Sequence, residues 1–175
     1  GPDIHGNRVT GNTINGLFVR IRTEAGRALD TLDVAGRFDD IDIVHVLSEN
    51  LVIRGTPGGA YLNPGTGLIE SRLDARLVID PSIILKMNGS RIEMLVGGQL
   101  VAEGNPLNRV IFTSIFDDRY GAGGTFDTNS DNINGIGRLP APGDWGGIYV
   151  GPTSSASLDQ VRLTFAGGVT TIEGN

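Results

Sequence analysis

Cysteine is absent from the chain, which excludes a disulfide framework and a thiolate metal site. Burial and backbone ladders must hold the fold together. Aromatic residues make up only 6% of the sequence, with a single Trp, so the core has to come from Val, Ile and Leu, which suit pleated, layered packing. No apolar run approaches the roughly 20 residues of a membrane-spanning helix, and no apolar stretch follows a basic start as an export signal would. The pair Gly1-Pro2 has the form of a protease-cleavage remnant, in which case any such signal has been removed. Positive charge is scarce and scattered: 14 Lys and Arg against 20 Asp and Glu give a net charge of -6. That balance argues against nucleic acid as a partner and fits cations or neutral glycans better. Helical periodicity with caps is missing as well, the nearest candidate being residues 24–30, which are few and contain Gly26.

What is present is glycine, 27 of 175 residues, interleaved with short apolar runs and without the every-third-residue period of collagen. The opening GNRVT and GNTIN place Gly at 6, 11 and 16 and predict strand and turn alternating at close spacing. Short β-like runs follow at residues 17–21, 29–34, 41–47, 51–53, 77–79, 83–87, 91–96, 100–102, 110–113, 148–150 and 158–165, each bounded by Gly, Pro, Asn or Asp. Connections decide between an antiparallel sandwich and a solenoid. Residues 77–113 read as strand, small corner, strand, with DPS, NGS, GG and EGNPLN at the corners, a pattern that favours coils stacking on one another.

From about Ala75 onward the chain resembles a recurrent module of bacterial surface proteins built from right-handed parallel β-helix repeats. The residues that carry the likeness are RLVIDPSIILKMNGSRIEMLVGGQLVAEGNPLNRVIFTS, DDRYGAGGTFDTNSD, APGDWGGIYV and SLDQVRLTFAGG, in that order. The resemblance implies an all-β fold, a pectate-lyase-like solenoid with one long inserted loop at residues 115–143. Residues 1–74 would form early Asn/Gly-rich rungs and residues 75–168 the family-like rungs of one domain, a fragment of a longer chain. It implies an extracellular or cell-surface location and an adhesive or scaffolding role.

The chemistry worth testing lies in the inserted loop, since long insertions in compact domains are commonly functional. In DTNSDNING, Asp127, Asn129 and Asp131 offer oxygens at alternate positions, the ligand type that calcium takes from flexible loops. Asn132 and Arg138 stand where an EF-hand needs Gly and a carboxylate, so that motif is excluded. Asp117, Asp118 and Asp144, at the two mouths of the loop, could complete the shell. The bland alternative is a solvated acidic loop held by Asx turns. Tyr120 and Phe126 beside Arg119 and Arg138 form a candidate contact surface for a glycan or protein ligand, against the alternative that the rings pin the loop to the solenoid flank. Trp145, between glycines where a strand resumes, reads as a structural anchor. Alternation places Asp42, Val44 and Val46 on one face and Ile41, Ile43 and His45 on the other, so Asp42 and His45 should not act together.

Two functions follow. The first is a non-enzymatic structural or adhesive module, calcium-stabilised through its loop. The second is a polysaccharide-active enzyme fragment of lyase, hydrolase or epimerase type, for which no catalytic residues can be assigned; a base such as Arg91 or Arg109 near Glu93 would be needed. Open strand edges at both ends of a cut solenoid would also favour end-to-end self-association.

Overall fold

A computed structural model describes residues 4–21, 30–72, 75–131 and 137–169. Gly1-Pro2, nearly all of the helical candidate at 24–30, and Asn132 lie outside these residues. Among the described residues the fold is all β, without helix.

Fourteen strands are β1 Leu17–Phe18, β2 Gly36–Phe38, β3 His45–Leu47, β4 Leu51–Ile53, β5 Tyr61–Leu62, β6 Ile69–Glu70, β7 Ala75–Ile79, β8 Ile84–Met87, β9 Arg91–Met94, β10 Gly98–Glu103, β11 Val110–Ser114, β12 Gly147–Val150, β13 Ser155–Asp159 and β14 Val161–Leu163. Twelve of them form three parallel sheets, ordered β1-β3-β8-β11-β14, β2-β7-β10-β13 and β4-β9-β12. Within every sheet the strands follow chain order, and the chain visits the sheets in the same sequence on each pass, as β2-β3-β4, then β7-β8-β9, then β10-β11-β12. The inserted loop separates β11 from β12.

Alternating aliphatics explain the strands. In β7, β9 and β10 every second residue is buried, and those residues join one core shared by all three sheets. Register files them in columns: Leu77 beside Leu100, Leu47 beside Met87, Ile53 beside Met94, and Leu85 beside Phe112. Each fully buried Leu or Ile stabilises the fold by about 1.5–3 kcal/mol relative to an exposed one. Successive passes of the chain approach so closely that a Cβ on Gly98 would lie 2.4 Å from the Ile53 carbonyl oxygen. Only glycine fits there.

Three expectations are corrected. The GN repeats at 6–16 form bends without strand. The run 158–165 is two strands on two sheets, broken at Gln160, whose φ of 48° turns the corner. Residues 41–43 are a turn and bend, so the alternation begins only at Val44. Between β4 and β7 the chain leaves the three parallel sheets to make an antiparallel hairpin, β5 with β6.

The middle strands of the first sheet, β3, β8 and β11, are buried on both faces over most of their length. His45 and Leu47 face the main column beside Leu85 and Met87, whereas Val44 and Val46 join a second cluster with Ile115, against which Ile14, Phe116 and Ala122 pack. The inserted loop therefore covers the outer face of those middle strands.

Candidate functional site

Under that loop runs an outward row of the first sheet in which Val46, Lys86 and Thr113 are neighbours, all fully buried. Lys86 is the only lysine in the chain. Its position follows from the strand Ile-Leu-Lys-Met: Leu85 and Met87 point inward, so Lys86 points outward and meets the loop. The ammonium donates to the Phe126 carbonyl at 2.7 Å. Burial pushes its pKa down to about 8, against the pull of Asp118, Asp117 and Asp127.

Around this cation the loop gathers carboxylates. Asp118, Asp127 and Asp131 each place an oxygen so that all three oxygens lie within 4.8 Å of one another. Asp131 Oδ2 accepts from the Arg138 backbone N–H, and Asp127 Oδ1 accepts from that of Asp131. The other Asp131 oxygen, Asp118 Oδ1 and Asn129 Oδ1 are shut off from water and have no hydrogen-bond donor among the described residues. Burial raises the Asp118 pKa, with Asp127, Asp131 and Asp117 adding to the effect and Lys86 opposing it. Buried acceptors of this kind call for an ion or a water molecule to satisfy them.

Of the six residues expected to ligate a metal, the structure unites these three carboxylates and leaves Asn129 beside two of them in sequence. Asp117 and Asp144 are engaged elsewhere. Fully buried Asp117 accepts from Thr113 Oγ1 at 2.5 Å and takes Arg119 Nε and Nη2 at 2.7 and 3.0 Å. Burial works against its charge, yet the Arg119 and Thr113 bonds together hold its carboxyl below the usual range. Asp144 accepts from Ser114 Oγ and Arg138 Nη2, both at 2.6 Å, and from the Ala141 N–H at 2.9 Å. These two aspartates clamp the loop mouths to β11, one at each end.

The four expected ligand-contact residues are distributed over three clefts. Arg119 and Arg138 share one of about 520 Å³ with Phe116, Pro140 and Phe165. The Arg138 guanidinium lies 3.8 Å from the Phe116 ring centroid and that of Arg119 lies 5.1 Å from Phe165. Tyr120 lines a second cleft, where Arg162 donates to its hydroxyl. Phe126 lines a third, with Arg8 and Asn15. Asn15 fastens the opening segment there, donating from its side chain to the Asp127 carbonyl and to Ser130 Oγ.

The remaining candidates are structural in their contacts. Arg91 is paired with Glu93 at 2.6 Å, and His45 is buried, stacked on Phe38 at 4.8 Å. Trp145 is fully buried and donates its indole N–H to the Thr164 carbonyl at 2.7 Å. Sequence reasoning missed Lys86, although a single lysine inside an apolar strand was a visible signal. Among the described residues no helix is long and apolar enough to cross a membrane.

Comparison with protein-family models, curated proteins and solved structures returned no match.

Proposed function

We propose that the chain is a stretch of right-handed parallel β-helix, acting as a non-enzymatic structural or adhesive module of a secreted or cell-surface bacterial protein, with a side loop ordered by a divalent cation such as calcium. The repeated circuit of three parallel sheets around one core supports the solenoid. Crossovers between parallel strands are right-handed in nearly all known cases, which supports the hand.

The observation that carries the cation is the carboxylate trio with its donorless oxygens. One ammonium against three carboxylates leaves a double negative charge, which a divalent ion would neutralise. Calcium takes about six to eight oxygens, so carboxylates alone would leave places for Asn129, backbone carbonyls or water. A site that shares its field with Lys86 is a weak one, on the order of 0.1–1 mM, and saturates where calcium is millimolar, as it is outside cells. A glycan or protein partner would meet the loop in the cleft between Arg119 and Arg138.

Polysaccharide cleavage by elimination requires a base open to substrate. Lys86, the cation that Asp118 and Asp127 feel, is buried and bonded to the loop backbone. Its placement favours a clamp over a catalyst.

Because Lys86 is the sole ε-amine, its acylation by an amine reagent, read by mass spectrometry, reports loop opening. Millimolar calcium should slow that acylation and raise the Tm, and Asp131→Asn should remove both effects. If calcium and EDTA give the same acylation rate and the same Tm, the cation reading is wrong.

A further inference from the structure

The cleft that Tyr120 lines, about 370 Å³ in volume, opens on the outer face of the first sheet. Its floor is Ile84 of β8 beside Ile111 of β11, and two guanidiniums border it. Arg162 of β14 is the register neighbour of Ile111, and Arg109 stands two residues before Ile111, so their Cα atoms lie diagonally, roughly 8 Å apart. Both arginines are exposed. Arg162 donates to the Tyr120 hydroxyl, its guanidinium 5.8 Å from the ring centroid. No acidic side chain lines the cleft, and neither arginine pairs with a carboxylate among the described residues. The acids close by in sequence are placed elsewhere. Asp80, two residues from Ser82 at the rim, is held by Arg37 at 2.6 Å, Asp118 belongs to the carboxylate trio, and Asp159 lies on β13 in another sheet. Arg119 and Arg138, by contrast, are each neutralised by an aspartate.

We infer that this cleft binds a sugar carrying a sulfate or phosphate ester. The Tyr120 hydroxyl accepts from Arg162 and keeps its own hydrogen to donate. Two guanidiniums and a phenol therefore offer donors with no acid to receive them, in a chain where 20 acidic residues outnumber 14 basic ones. An oxyanion supplies the missing acceptors. A carboxylate presents two oxygens in one plane and is satisfied by a single guanidinium, whereas a sulfate or phosphate ester presents three and takes donors from both arginines and the phenol. Ile84 and Ile111 give an apolar bed for the C–H face of a sugar ring, and Ser82 and Asn108 bring neutral polar groups for its hydroxyls. The cleft shares no residue with the carboxylate trio, so ester binding and cation binding stand or fall separately.

Galactose 6-sulfate and galactose 6-phosphate, titrated into isotope-labelled protein and followed by NMR, should each shift the backbone amide signals of residues 82–84 and 109–111 saturably. The midpoints should be the same in calcium and in EDTA, and unchanged in Asp131→Asn. Galactose itself should give no shift, and inorganic sulfate should bind several-fold more weakly than the sulfate ester because it leaves the isoleucine floor uncovered. Arg109→Gln and Arg162→Gln should each weaken ester binding about ten-fold. Tyr120→Phe should weaken it less, since it removes a neutral donor. All three side chains are at least partly exposed, so the circular dichroism spectrum should not change. Arg54→Gln, which removes another exposed charge outside the cleft, should leave the midpoint where it was. The inference is overturned if no ester gives a saturable shift, if galactose or inorganic sulfate binds as tightly as the esters, or if Arg54→Gln weakens binding as much as Arg109→Gln.

Discussion

Lys86 Nζ donates to the carbonyl oxygen of Phe126, tying β8 to a loop forty residues further along the chain. The same ammonium offsets part of the charge on Asp118 and Asp127. Replacing it by an apolar group of similar length leaves those carboxylates facing one another. Lys86→Met should therefore lower stability by about 1–3 kcal/mol, less than a fully buried pair would lose because Asp118 and Asp127 are partly exposed. Urea denaturation with and without calcium checks this, and the loss should shrink in calcium. Equal losses in both buffers would show that ion and ammonium do not share a field.

His45 supplies a pH dependence. Burial lowers its pKa, Asp40 pulling the other way. As pH falls below about 6.5, the unfolded chain takes up a proton that the folded chain refuses, so stability should decline toward acid by up to about 1.4 kcal/mol per pH unit. His45→Phe retains a ring against Phe38 and removes the titration. Its stability change between pH 7 and pH 5 should be smaller than that of the unmodified protein, the carboxylate contributions being common to both.

Trp145 offers a spectroscopic handle. As the only tryptophan, buried and bonded to Thr164, it should emit at short wavelength and resist acrylamide quenching until the fold opens. Trp145→Phe leaves the Thr164 carbonyl without its donor and should cost about 1–3 kcal/mol in thermal or urea melts.

Coil spacing can be probed at two glycines. A Cβ at residue 98 would meet the Ile53 and Leu95 carbonyl oxygens at 2.4 and 3.0 Å, backbone that cannot swing aside. Gly98→Ala should destabilise by about 1–3 kcal/mol. Gly59→Ala, with open space around its Cβ, should be neutral within about 0.5 kcal/mol.

Most strands of the three parallel sheets were legible because their aliphatics alternate, as in residues 77–79 and 100–102, and corner residues mark where they stop. What escaped the reading had weaker or misleading signals. β2 is three residues long and contains one large apolar side chain, too little for periodicity to register. The β5–β6 hairpin rests on two residue pairs, and the turn string Asn-Pro-Gly-Thr-Gly at 63–67 was its one clear mark. β3, β8 and β11 were read as strands from their apolar runs, but with little of either face meeting water their pattern gave no sign of which face the loop covers. The acidic loop was recognisable from its oxygen-bearing side chains. Which of them converge depends on how the loop folds back over β8, and that is set by contacts distant in sequence.

The fastening of the opening segment has a consequence for how the chain assembles. Asn15 is held by the backbone and side chains of residues 127–130, more than a hundred positions downstream. Neighbouring parallel strands can pair as the polypeptide leaves the ribosome, because their partners are close in sequence. Asn15 must wait for partners made long after it, so a segment synthesised before the parallel sheets finds its place after them.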